Sequence, residues 1–259
     1  MHFITIRAKF LPVIFLLTFC VLILFFSGKI PDSVVVFSSS DGRQLPIYSV
    51  ETKEKAVALG INCAWDEQDI RPMLDTLSQY KVKVTFFMLG EWAQKYPQQA
   101  KEIALSGQEI GSHAFRHRDM DQLSRKEILE EISSSQQVIE QTCGQRPILF
   151  RPPSGAYNDL VIRTIHEAGC IPIQWSIDTL DWKGLSAEEI TQRVISKLKP
   201  GEIILLHAGG TYSAQALPMI LTELKKAGYQ VLPVGKLLLS DDFYVDASGR
   251  QIPFQNNCR

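Results

Sequence analysis

The chain has 259 residues, of which 45% are hydrophobic and 21% charged, with a formal net charge of −1. That is enough apolar material for one sizeable core, and folds of this size are commonly a single domain. With a pI near 6.5 and neither a basic face nor a long Lys/Arg run, the composition excludes the electrostatic footprint of a nucleic-acid binder.

In chain order, the first element is an almost unbroken apolar run over residues 10–26, preceded by Arg7 and Lys9. A run of about 17 to 18 residues is near the lower limit for a bilayer span and too long for a typical signal-peptide core. The basic flank is predicted to stay in the cytoplasm, which places the chain beyond residue 27 outside. The expected organisation is a cytoplasmic tail over 1–9, a single-pass membrane anchor over 10–27 and a juxtamembrane segment over 28–52. A globular domain over 53–240 and a C-terminal tail over 241–259 complete it. A cleaved signal peptide is the alternative, although no A-x-A-like site comes after the run. The juxtamembrane segment reads as a strand over 34–37, a turn over 38–42 and an extended piece over 45–50.

From there strands and helices alternate. Strands are predicted at 57–62, 82–88, 109–112, 148–150, 171–177, 202–206 and 230–234, with helices at 68–80, 97–106, 125–142, 159–168, 187–198 and 216–227. Ser124 with Glu127 three residues on is a capping box, Ser186 is a second N-cap, and Gly228 stops the last helix. Repeated βα units imply a parallel sheet, and in barrels of that kind site residues gather at the C-terminal ends of the strands. Asn62, His113, Arg151, Asp178 and His207 all fall at such ends.

Of the five cysteines, Cys20 lies within the apolar run, while Cys63, Cys143, Cys170 and Cys258 show no C-x-x-C pair. A structural metal cage is not indicated. Buried free thiols are the expectation, with one or two disulfides as the alternative in an oxidising compartment.

His113 and His117 stand four residues apart in Gly111-Ser112-His113-Ala114-Phe115-Arg116-His117, a spacing that lets two imidazoles converge on one divalent ion. Alone it is weak, because two histidines so spaced are more often a helix face or a solvated pair. Downstream come Arg151-Pro152-Pro153-Ser154-Gly155-Ala156-Tyr157-Asn158, Trp175-Ser176-Ile177-Asp178-Thr179-Leu180-Asp181-Trp182, and Ile203-Ile204-Leu205-Leu206-His207. Together and in this order, from about residue 53 to 239, these resemble the second to fifth motifs of the polysaccharide deacetylases. That is the NodB-homology family, carbohydrate esterase family 4, and the closest likeness is to its membrane-anchored, sporulation-type branch.

The resemblance implies a distorted, open (β/α)7-8 barrel and hydrolysis of the N-acetyl groups of a cell-wall glycan. It implies a divalent metal, Zn²⁺ first with Co²⁺ and Ni²⁺ as alternatives, held by His113 and His117. It makes His207 the general acid and Asp178 the aspartate that orients it, with Asp181 the nearby substitute should the register differ. The backbone N–H after Pro153 would serve the oxyanion. Ser154 stands where the family usually carries an aromatic residue, and Trp182 resembles the wall that holds the acetyl methyl group.

The first motif departs from the pattern. Family members carry a strand ending in two aspartates, the first the general base and the second a metal ligand. Here the text is Gly60-Ile61-Asn62-Cys63-Ala64-Trp65-Asp66-Glu67, so Asn62 occupies the base position and Arg151 loses the carboxylate with which it would pair. An amide is no base at neutral pH, and a general base is typically worth about 10²–10⁴ in rate. Asp66 and Glu67 are the nearest replacement carboxylates, and Asp66 is the expected third metal ligand. Two function classes remain: a membrane-anchored, metal-dependent deacetylase of N-acetylated cell-wall glycan, and a glycan-binding protein that has lost turnover.

Overall fold

The computed structural model describes residues 43–254. The apolar run and the strand and turn expected at 34–42 lie outside them, and no helix among the described residues is long and apolar enough to cross a membrane.

A short strand β1 (Ser49–Val50) precedes β2 (Ala56–Cys63), α1 (Ile70–Tyr80), β3 (Thr85–Met88), α2 (Gly90–Lys95), α3 (Pro97–Leu105) and β4 (Glu109–Ser112). Next come α4 (Arg125–Cys143), β5 (Leu149–Phe150), α5 (Asp159–Glu167), β6 (Ile171–Pro172), β7 (Ile177–Asp178) and α6 (Ala187–Lys197). The chain continues with β8 (Ile203–Ala208), α7 (Ser213–Lys226), β9 (Gln230–Leu232), α8 (Val234–Leu237), β10 (Phe243–Val245) and β11 (Arg250–Pro253).

The main sheet runs β6-β5-β4-β3-β2-β8-β7, all parallel, with β9 added beside the start of β2. β6 and β7 do not pair with each other; instead Ile47 lies beside β6, its N–H donating to the Pro172 carbonyl at 2.9 Å. This is the open, distorted (β/α) barrel expected from the motifs. The expected helices recur within a few residues of their predicted bounds, and the structure adds α2 and α8 and divides the strand predicted at 171–177 into β6 and β7.

Local chemistry explains the elements that carry the site. β2 is buried along its whole length, as befits a strand in the middle of a covered parallel sheet. Its odd residues Val57, Leu59, Ile61 and Cys63 pack into the main core between sheet and helices, so period-two alternation turns Gly60 and Asn62 the other way. The α4 N-terminus is a complete capping box, the Glu127 carboxylate accepting from the Ser124 N–H at 2.9 Å. A second cluster built on Ile128, Ile132, Phe150, Val161 and Ile165 fixes α4 and α5 behind β5. Cys63 and Cys170 are buried free thiols and Cys143 is a half-buried one.

The residues read as a C-terminal tail carry instead a hairpin, β10 with β11 antiparallel, whose second strand runs parallel to β1.

Candidate active site

In register, Asn62 on β2 lies beside His207 on β8, which places the two side chains next to each other at the sheet's C-terminal edge. His113 comes directly after β4 and Arg151 directly after β5. Four strand ends thus deliver four polar side chains to one place, three of them buried: Asn62, His113 and Arg151.

Arg151 is fully buried, with its guanidinium over the Phe87 ring at 4.0 Å. Its Nη1 donates to Asn62 Oδ1 at 2.8 Å and to the Gly60 carbonyl at 3.4 Å, and Nη2 donates to the Gln174 carbonyl at 3.3 Å. No carboxylate is among these partners. Burial pushes the guanidinium pKa down, to about 9, which still leaves the cation charged at pH 7. Gly60 is required by this packing, since a Cβ there would sit 2.5 Å from Arg151 Nη2. Gly60→Ala should therefore push the guanidinium aside and cost about 1–3 kcal/mol in denaturant unfolding, the usual range for overpacking; an unchanged midpoint would contradict the close approach.

His113 Nδ1 lies 2.7 Å from the Arg151 carbonyl, which can only accept, so the proton is on Nδ1 and Nε2 carries the lone pair. Asn62 Nδ2 faces that lone pair at 3.3 Å. Burial, and then the neighbouring His117, hold the His113 pKa well below its usual value, so the ring is neutral. The His117 ring meets it edge to face with centroids 5.4 Å apart. The turn that brings His117 back runs through Ala114 at φ 69°.

On the other side of the site, the carboxylate that holds His207 is Asp181, not Asp178. Asp181 Oδ1 accepts from His207 Nδ1 at 2.8 Å, and Oδ2 accepts from the His207 backbone N–H at 2.8 Å and from Ser213 Oγ at 2.6 Å. Thr179 Oγ1 donates to Oδ1 at 3.0 Å. Burial works to raise the Asp181 pKa, but the hydrogen bonds from His207 and Ser213 prevail and keep the carboxyl below its ordinary range. Asp178 instead folds onto its own turn, accepting from the Leu180 N–H at 2.8 Å. The reversal is local: Leu180 sits at φ 54°, and that left-handed residue swings the next side chain, Asp181, under His207.

Trp65 covers the His207 ring, with centroids 4.9 Å apart and planes 25° from parallel, while 44% of its surface stays exposed. Trp182, beside Asp181, is 51% exposed. Pro153 is buried, and Ser154 is exposed at φ 55° in a single turn after it. Asp66 does not complete a ligand set. Its Oδ1 accepts from the Gln68 N–H at 3.3 Å in the turn that leaves β2, and no group of three His, Cys, Asp or Glu side chains suited to an ion occurs among the described residues. Sequence reasoning missed Ser213, Thr179 and the Trp65 stacking; a tryptophan three residues beyond a strand end is the available signal for the last.

Residues 49–172 match the polysaccharide deacetylase family. A peptidoglycan-N-acetylglucosamine deacetylase of Bacillus cereus is 37% identical over 196 residues, covering 74% of this chain and 92% of that one. The chain belongs to the polysaccharide deacetylase family. Its members are hydrolases of carbon–nitrogen bonds and generally depend on a metal. An uncharacterized protein of Bacillus subtilis, YlxY, is 36% identical over 193 residues, which cover 74% of this chain but only 60% of that longer one. Among solved structures, a family 4 carbohydrate esterase described as a pseudoenzyme, from Bacillus anthracis, superposes with a TM-score of 0.73 at 33% identity, covering 80% of this chain and 70% of the other. A mutant of that protein, described as having restored enzymatic activity, superposes with a TM-score of 0.72.

Against the family's metal dependence, the donors of this deacetylase-family site do not fit a resident divalent ion. Two imidazoles are in place, but the His113 lone pair is occupied by an amide N–H. Cys63, at the position of the family's metal-binding aspartate, packs into the core, where burial drives its thiol pKa up.

Proposed function

We propose that this chain acts on N-acetylated cell-wall glycan of the peptidoglycan type as a deacetylase whose turnover is held low by Asn62. In this reading it is tethered to the outer face of the cell membrane by residues 10–27. The observation that supports an active-site rather than a purely structural origin is the buried Asp181 carboxylate, which accepts from His207, Ser213 and Thr179 at once.

Amide hydrolysis needs a proton for the departing amine, stabilisation of the oxyanion and an activated water. Asp181 accepts from His207 Nδ1–H, which leaves Nε2 facing the site as the atom that, when protonated, would hand a proton to the departing amine. The N–H of Ser154 is the candidate oxyanion donor. The exposed face of Trp65, stacked on His207, offers a pyranose ring apolar contact, and Trp182, next to Asp181 in the chain, offers a second exposed ring. Water activation is the missing function, because the Asn62 amide has no lone pair basic enough to take a proton.

A second reading, a glycan-binding protein without turnover, is favoured by one observation: both ends of the Asn62 amide are already bonded, to Arg151 and to His113. Co-sedimentation with purified, insoluble peptidoglycan, together with acetate release from it, tests both. Retention that is lost on Trp65→Ala is expected. Acetate release dependent on His207 supports the enzyme reading, retention without release supports the binding reading, and neither would overturn both.

A further inference from the structure

We propose that Asn62 is a built-in substitute for the metal: its amide closes the His113–His117 pair to divalent ions and makes this site stable without one. The inference takes its frame from the family assignment and does not depend on whether the chain turns over substrate.

The orientation of the amide is fixed at both ends by chemistry. The guanidinium of Arg151 can only donate, so the atom facing Nη1 is Asn62 Oδ1. The Arg151 carbonyl can only accept, so His113 is protonated on Nδ1 and must accept at Nε2. The remaining amide proton of Asn62 points at that Nε2. The residue thus satisfies a buried cation with one end and a buried lone pair with the other. Nε2 is the nitrogen an ion would need, and its lone pair is already engaged.

Charge points the same way. Arg151 is fully buried and its polar partners are an amide and two backbone carbonyls. An ion at Nε2 would lie one residue away from that guanidinium, with neutral imidazoles as ligands and no carboxylate between the two positive charges. Cys63 offers no compensation, since strand alternation packs it with Val57, Leu59 and Ile61 on the far face of β2. Asp66 is turned to Gln68. A carboxylate at position 62 would change both terms at once, neutralising Arg151 and supplying a ligand.

The test is zinc uptake, measured calorimetrically with Zn²⁺ alone and counted as the part lost on His113→Ala. The parent should show none, and its thermal midpoint should be unmoved by a chelator or by added zinc. Asn62→Asp should bind zinc at least about tenfold more tightly than the parent, since a single ligand or partner change at a metal site is commonly worth about 10–100-fold. Asn62→Ala frees Nε2 without adding a carboxylate and keeps the test open should the aspartate variant not fold; it too should take up more zinc than the parent. A parent that holds one equivalent through His113, or position-62 variants that bind no better than the parent, would overturn the inference. Neither result bears on glycan retention, so failure here and failure of the functional reading are separable.

Discussion

Asp181→Asn is expected to lower acetate release by about 10²–10⁴ when introduced beside Asn62→Asp, whereas Asp178→Asn in the same background should stay within about twofold. The difference comes from the hydrogen bonds. The Asp181 carboxylate holds His207 Nδ1 and fixes the ring's orientation; an amide there would supply either a neutral acceptor or a competing donor. The Asp178 carboxylate accepts from the Leu180 N–H of its own turn, and its carbonyl from Arg193 Nε, away from His207. Folding is expected to survive both changes, and a large loss from Asp178→Asn with none from Asp181→Asn would return the orienting role to Asp178. The aspartate background is used because the parent's own rate is expected to be low, which narrows the range over which a further loss can be read.

Asn62→Leu is expected to destabilise the protein by about 2–4 kcal/mol. Hydrogen bonds to charged groups contribute roughly 1.5–3 kcal/mol, and a buried acceptor left unpaired adds to the loss. Here the leucine would strip the fully buried Arg151 of the Asn62 acceptor and His113 Nε2 of its donor. Asn62→Asp should cost less than Asn62→Leu, because it gives the buried cation a counter-charge while losing only the donor to His113 Nε2. Urea unfolding with a common slope reads both. If Asn62→Leu lies within about 0.5 kcal/mol of the parent, the ordinary range for surface substitutions, the amide is not holding Arg151 in the way described.

Much of this is legible in the chain. The fully buried strand β2 and the six-residue β8 announce themselves as apolar runs, and the capping box at Ser124 and Glu127 marks the start of α4. The motif residues Asn62, His113, Arg151 and His207 fall at the strand ends where the barrel assembles them. What escapes a reading of the sequence is anything set by a single backbone angle. Two aspartates three residues apart both flank the right turn, and only the left-handed Leu180 decides that Asp181 reaches His207. Proximity in sequence places Asp66 in the site, but the chain turns on leaving β2 and commits that carboxylate to the Gln68 N–H. The hairpin of β10 and β11 escapes because strands of three and four residues with mixed burial carry little periodic signal. The absence of a base at position 62 is visible in the sequence; that the amide is used at both ends is not.

The most direct measurement is acetate release from purified N-acetylated peptidoglycan by the parent and by Asn62→Asp, each with zinc supplied and each paired with His207→Ala. Asn62→Asp is expected to exceed the parent by about tenfold or more, since a well-placed general base is worth roughly 10²–10⁴, and His207→Ala to abolish the gain. A parent that already releases acetate at the rate of Asn62→Asp, through His207, would contradict it.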